Sequence, residues 1–274
     1  MSLILMEFAP YTDSTIYPIF DINKVPGLHA VCLGFVVSDS KSNPSWGGYY
    51  PTSGDYYSDI IRRAQLDGKK IIVSFGGAAG QELAITNSNP HKLFEKYRDV
   101  IEKYDLSSID FDIEGASVVD QRANKTRQGA ILELQKMYPN LEISLTVAVM
   151  PTGVDANVLK LIETTPCDIV NLMCMDYGNQ KGKMGDAAIN AAKAVRKQTG
   201  KNIGITPMIG KNDTDEIFNQ DSARKVKAFV DNTNWIKRLS FWSLNRDQGI
   251  DGSLDKSSKI KQTPWEFCSI FNKV

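Results

Sequence analysis

Short runs of β-branched and apolar residues recur eight times along the chain, bounded by turn residues and separated by segments with helical spacing. They lie at 3–10 (LILMEFAP), 29–38 (HAVCLGFVVS), 69–77 (KKIIVSFGG), 106–114 (LSSIDFDIE), 141–150 (LEISLTVAVM), 168–177 (DIVNLMCMDY), 202–210 (NIGITPMIG) and 238–245 (RLSFWSLN). Amphipathic helical patterns occupy 55–68, 91–104, 121–138, 187–200 and 220–232, several closed by Gly, Asn or a basic turn. The first connection, 13–28, is short and Pro-containing and is the weakest repeat. Strand and helix alternating through 274 residues predict an α/β chain of the (β/α)8 TIM-barrel class, whose usual size is about 250 residues. A doubly wound open sheet is the alternative. No linker or low-complexity tract divides the sequence, so residues 1–274 read as a single domain.

The loops favour the barrel. Segments after strand C-termini (38–54, 77–90, 178–186, 211–219, 245–259) are long and rich in Gly, Asn, Ser and aromatics, whereas those entering strands are short. In a barrel the long loops build the active face at the strand C-terminal end.

One strand carries an unusual pattern. In SSIDFDIE (107–114), Asp110, Asp112 and Glu114 alternate with Ile109, Phe111 and Ile113. A strand sends successive side chains to opposite faces, so the three acids share one face over roughly 13 Å, with Glu114 nearest the C-terminal end. Isolated carboxylates in a barrel interior cost several kcal/mol each unless they share protons or hydrogen bonds. Neighbouring acids in such a site cannot all ionise near neutral pH, and the one with a raised pKa is a natural general acid. A bound divalent cation or a solvated mouth without chemistry are the alternatives from spacing alone.

Composition narrows the partner. Lys plus Arg (32) equals Asp plus Glu (32), and no uninterrupted apolar stretch approaches the roughly 20 residues of a membrane span, so neither nucleic acid nor a membrane is expected. The cysteines (Cys32, Cys167, Cys174, Cys268) and the two histidines (His29, His91) show no metal-ligand spacing, so buried free thiols and no cofactor are expected.

SSIDFDIE resembles the DGxDxDxE signature on the fourth strand of glycoside hydrolase family 18, the chitinase family. SFGG (Ser74, Gly76, Gly77) resembles the family's SxGG element, MDYG (Met175 to Gly178) its Met-x-Tyr element, and FWSLNRD places Trp242 where the family has its Trp. TPMIGKND (206–213) is similar to the compact bacterial chitinases, and about 28 residues between the seventh and eighth strands leave no room for the small α+β insertion of some members.

The resemblance implies chitin or chito-oligosaccharide hydrolysis by a retaining mechanism in which the substrate supplies the nucleophile. It implies Glu114 as general acid and then base, and Asp112 as the group that orients the acetamido N–H. Asp110 would share a proton with Asp112, Tyr177 would hold the acetamido oxygen, and Trp242 would floor the −1 sugar. Met175, Met150 and Trp46 are expected along the sugar path, with Tyr49 and Tyr50 on the same loop as Trp46. Ser74, Gly76 and Gly77 sit beside the carboxylates, and Arg246 and Asp247 are expected to pair.

Ser107 and Ser108 depart from the signature's Asp and Gly. Ser107 is expected to lie lowest on the strand and to influence only the pH profile. Two other readings stand beside the first: an endo-β-N-acetylglucosaminidase acting on N-glycan cores, and a non-catalytic chitin-binding lectin or inhibitor, against which Glu114, Asp112 and Tyr177 argue. The protein is expected to be a monomer. No secretory signal is visible and Met1 to Leu3 abut the first strand, yet insoluble chitin is met outside the cell. Secretion is therefore expected, with the address segment trimmed away.

Overall fold

The computed structural model of the protein describes residues 6–178, 180 and 182–272, so residues 3–5 of the expected first strand and part of the 178–186 loop lie outside the described residues. The chain begins with β1 (Glu7–Phe8) and β2 (Tyr11–Asp13). It continues through β3 (Ala30–Ser38), the hairpin of β4 (Pro44–Trp46) and β5 (Tyr50–Pro51), α1 (Ser58–Leu66), β6 (Lys70–Gly76), α2 (Leu83–Thr86) and α3 (Pro90–Lys103). Then come β7 (Ser108–Asp112), α4 (Gln121–Met137), β8 (Glu142–Ala148), α5 (Ala156–Thr164), β9 (Ile169–Cys174) and α6 (Met184–Thr199). The last elements are β10 (Asn202–Pro207), the hairpin of β11 (Gly210–Lys211) and β12 (Ile217–Phe218), α7 (Gln220–Asp231), β13 (Ile236–Leu239) and α8 (Glu266–Phe271).

Parallel pairing runs β1, β13, β10, β9, β8, β7, β6, β3, and β2 returns to β3, so the sheet closes on itself as a TIM barrel. The first strand position is split between β1 and β2 because Pro10 cannot donate to a ladder. Backbone bonds knit the split: Ala9 N donates to Leu239 O (2.9 Å), Tyr11 N to Phe241 O (3.0 Å) and Cys32 N to Pro10 O (2.9 Å). Closure leaves no edge at this seam. The weak first connection carries only a 3-10 turn (Ile22–Lys24). Between β10 and β13 lie the β11–β12 hairpin and α7, with no separate insertion domain on that side.

Local chemistry sets the helices. Asn89 caps α3 by accepting from Lys92 N, with Pro90 in the first turn where its missing N–H costs nothing. Asp120 caps α4 in the same way through Ala123 N, and α6 stops at Gly200, whose left-handed φ of 67° a side chain would disfavour. The helices bury one face, for example Leu93, Tyr97 and Val100 of α3, against the outward side chains of the strands.

One buried ion pair ties this outer layer to the loop after β6. Arg127 of α4 donates to Glu82 Oε2 at 2.7 Å and Oε1 at 3.3 Å, and Tyr97 of α3 adds its hydroxyl to Oε1 at 3.3 Å. Both charges are buried. Removing one partner leaves the other unpaired in a poorly solvated layer, so Arg127→Met should lower unfolding free energy by about 3–5 kcal/mol. Urea denaturation at neutral pH checks this, and adding Glu82→Leu to Arg127→Met should recover part of the loss.

Candidate active site

β7 divides as its alternation dictates. Ile109, Phe111 and Ile113 are fully buried toward the helices, with the Phe111 ring 5.1 Å from Tyr97 and 5.6 Å from Phe75. Ser108, Asp110 and Asp112 face inward, and Glu114 stands at the strand's end where the barrel opens.

Asp110 is completely buried and accepts from four hydroxyls: Tyr11 (2.8 Å) and Ser74 (2.6 Å) at Oδ2, Ser144 (2.5 Å) and Thr146 (2.8 Å) at Oδ1. The hydroxyls are themselves aimed. Asn171 donates its amide to Tyr11 Oη (3.3 Å) and Thr146 Oγ1 (3.0 Å), while Thr206 donates to Asn171 Oδ1 (2.8 Å). With both oxygens occupied by donors, Asp110 fits this site as a carboxylate.

Asp112, two residues on, has no such supply. Its Oδ1 is buried with no hydrogen-bond partner among the described residues, and its carboxyl hydrogen-bonds the carboxyl of Glu114. Two carboxylates cannot bond without a proton between them. Burial first, then the charges of Glu114 and Asp110, push Asp112 well above the usual carboxylate range. Glu114 is also raised by burial; the Asp112 bond lowers it and the nearby Asp176 charge raises it. The partner expected for Asp112 is Asp110; here Asp112 pairs with Glu114 instead, because hydroxyls occupy both oxygens of Asp110.

The walls are tight where the sequence placed its glycines. A Cβ on Gly76 (φ 106°) would lie 2.1 Å from Asp112 O, and one on Gly77 (φ 89°) would lie 2.7 Å from the Phe35 ring. Gly77 N donates to Asp112 O at 2.9 Å. Trp242 stacks on Phe35 (5.6 Å, 16°) and lies 6.3 Å from Tyr11, forming an aromatic floor above the Asp110 network. Met150 is exposed on the rim and Met175 partly so, both consistent with lining an open mouth.

Four expectations need correction. The Tyr177 hydroxyl is buried beside the Cys174 thiol, which reaches Ala188 O on α6, so it lies on the helix side of β9 and away from the carboxylates. Asp176, at φ 56°, turns the chain there, and its own side chain is the one whose charge acts on Glu114. Trp46 is fully buried, its indole N–H donating to Tyr104 Oη at 3.1 Å; Tyr49 and Tyr50 remain exposed, with Tyr50 stacked on Tyr56 at 3.8 Å. Ser107 is exposed on the outer face, and the inward residue is Ser108, whose hydroxyl donates to Glu142 Oε1 at 3.0 Å. Arg246 donates to Ile209 O and Lys211 O, and Asp247 accepts from Phe267 N, Cys268 N and Gln262, so the two do not pair.

A recess of about 1820 Å³ lies at the opposite end of the barrel, between Glu7, Lys70, Glu142 and the α6–β10 turn. It does not touch the acids. Among the described residues no group of His, Cys, Asp and Glu is arranged to hold a metal ion.

This geometry coincides with a family match. The model of "Glycosyl hydrolases family 18" matches residues 7–234. The chain is 30% identical over 276 residues to a "Probable bifunctional chitinase/lysozyme" of Escherichia coli (strain K12), covering 88% of this chain and 31% of that protein. It is 30% identical over 274 residues to "Endochitinase 11" of Metarhizium anisopliae, covering 88% and 52%. The chain thus spans only a third to a half of the curated relatives it matches. Active domain 2 of a thermostable chitinase from Pyrococcus furiosus, solved as catalytic-site mutants complexed with chito-oligosaccharides, superposes with a TM-score of 0.86 at 29% identity, covering 96% of this chain and 92% of that one.

The raised Asp112 gives a stability test. In the unfolded chain Asp112 loses its proton near pH 4, whereas the native site retains it. The stability from that retained proton is full at low pH and is lost as pH rises toward the native value. Asp112→Asn cannot ionise and escapes the loss. It should be more stable than the parent at pH 7 by about 1–2 kcal/mol, the gain vanishing toward about pH 4, as read by denaturation at each pH.

Proposed function

The chain belongs to the glycosyl hydrolases family 18, and from that premise we propose that it hydrolyses β-1,4 bonds between N-acetylglucosamine units in chitin or chito-oligosaccharides. The observation that carries this reading is the pairing of Asp112 with Glu114, both pushed above the usual carboxylate range chiefly by burial, beneath an open aromatic mouth. A half-buried carboxyl at the barrel rim with a raised pKa can donate to a glycosidic oxygen near neutral pH.

In the proposed sequence Glu114 protonates the leaving oxygen. The acetamido oxygen of the −1 sugar attacks its own anomeric carbon, giving an oxazolinium-like intermediate with retained stereochemistry after water opens it. Asp112, whose Oδ1 has no protein partner, binds the acetamido N–H and steadies the positive charge that develops there. Glu114 gives its proton to the leaving oxygen and, then a carboxylate, takes a proton back from the water that opens the intermediate. Asp110 stays a fixed negative charge below them. Trp242 floors the −1 sugar; Tyr177 has no part in this scheme.

The substrate class draws on the two relatives named as chitinases and on the Pyrococcus furiosus domain complexed with chito-oligosaccharides. The lack of an insertion domain between β10 and β13 favours cutting within a chain, and the exposed Tyr49 and Tyr50 offer stacking faces. On the same reading residues 1–274 form one catalytic barrel, working as a monomer outside the cell where the insoluble polymer is met.

Glu114→Gln should lower kcat on chito-oligosaccharides by about a hundred- to ten-thousand-fold with little change in KM, as read by product chromatography. A high-mannose glycopeptide run in parallel separates the readings. Cleavage of the glycopeptide alone replaces chitin with N-glycan cores as the substrate, and release from neither removes the hydrolase reading.

A further inference from the structure

A single buried cation sits below the carboxylates. Arg238 of β13 is 1% exposed and points into the barrel at its closed end, in room that Gly204 leaves: a Cβ there would lie 3.1 Å from Arg238 Cβ. Its Nη1 donates to Ser144 Oγ at 2.7 Å, and Ser144 donates to Asp110 Oδ1 at 2.5 Å. A guanidinium can only donate, so the one hydroxyl hydrogen of Ser144 is committed to Asp110. The relay has one direction.

Nη2 of Arg238 is held by Glu142 Oε1 at 2.6 Å, with Ser108 Oγ at 3.4 Å and Glu7 Oε2 at 3.5 Å. Lys70 bridges Glu7 and Glu142, at 3.1 Å to each. Ser108 stands where the signature has Gly, and its hydroxyl belongs to this cluster. Glu7, Glu142 and Lys70 each keep between 18% and 27% of their side-chain surface in solvent, whereas Arg238 keeps 1%. Solvent screens the former three, and the Arg238 charge acts at close range through a dry interior.

We propose that Arg238, acting through Ser144, is a positioning residue: it is the counter-charge that keeps Asp110 a carboxylate and so leaves the proton of the site to Asp112 and Glu114. The proposal rests on the catalytic reading of those three acids. The titratable groups facing Asp110 from the surrounding elements are Tyr11 of β2, Cys32 of β3, Asp112 of β7 itself, Cys167 before β9 and Arg238. Burial raises Tyr11 and both thiols, so they stay neutral through the working range. Arg238 is the cation of the set.

Ser144→Ala breaks the relay while leaving every charged group in place, and Arg238→Gln with Glu142→Gln removes the cation without stranding its partner. In both, the acid limb of log kcat/KM should move up by about half a unit or more. Arg238→Lys, which keeps the charge, should stay closer to the parent. Carbon-13 carboxyl titration of Asp112, which the Asp110 charge helps to raise, reads the effect without turnover, so a parent that cleaves nothing would fail the catalytic reading while the relay is still decided. Titration curves and acid limbs of Ser144→Ala that superimpose on the parent would overturn the proposal, even if the double variant fails to fold.

Discussion

The buried carboxylate of Asp110 is the constraint around which the barrel interior is arranged. An unpaired charge there would cost several kcal/mol. The structure meets the cost by turning inward-facing positions of neighbouring strands into hydroxyl donors: Tyr11, Ser74, Ser144 and Thr146, with Asn171 and Thr206 behind them. No one strand could do this. The four donors come from β2, β6 and β8: parallel pairing registers Ser74 and Ser144 opposite Asp110, while Thr146, opposite Asp112, and Tyr11 reach the same carboxylate from other register positions. Closure of the sheet across the Pro10 seam is therefore as much a condition of the site as the acids are, because Tyr11 sits at that seam.

The same strand holds two aspartates of opposite fate. Asp110 and Asp112 share a face and lie one pleat apart, yet one is met by donors and the other by a second carboxyl. Donor supply, not residue type, sets the two apart. The level of Asp112 is walled by the backbone of Gly76, which can approach Asp112 O because it has no Cβ, and of Gly77, whose missing Cβ leaves room for the Phe35 ring; backbone there brings no hydroxyl to the Asp112 carboxyl. Space and charge thus act together, and the proton is kept at the mouth.

The parts of this arrangement legible in the sequence are those that depend on period. Alternation in 107–114 placed the three acids inward and Ile109, Phe111 and Ile113 outward, and eight β-rich runs implied the barrel. Parity also put Ser107 on the outer face; ranking it by height along the strand hid this, although the alternation itself carried the information. Tyr177 and Trp46 are different. The left-handed turn at Asp176 breaks the period just before Tyr177, and Trp46 is buried by the way the β4–β5 hairpin folds back over Tyr57 and Tyr104. Both outcomes are set by tertiary packing, which local pattern does not contain. Tyr11, Ser144, Thr146 and Arg238 sit on inner positions of their strands, but only the three-dimensional register shows that they converge.

That convergence explains why a barrel interior can carry so polar a column without losing its stability. The apolar core is moved outward, between strands and helices, where nearly all the large buried side chains collect, while a small apolar group around Tyr11, Cys32 and Ile72 remains within. The interior is then free to run as a stack of charges and donors, from the Lys70, Glu7 and Glu142 cluster at the closed end through Arg238 and Ser144 to Asp110, Asp112 and Glu114 at the open one. At the top of the stack Asp112 Oδ1 lacks a partner among the described residues and Glu114 meets solvent. An interior built this way sets the paired carboxyls of Asp112 and Glu114 at the end where the barrel opens.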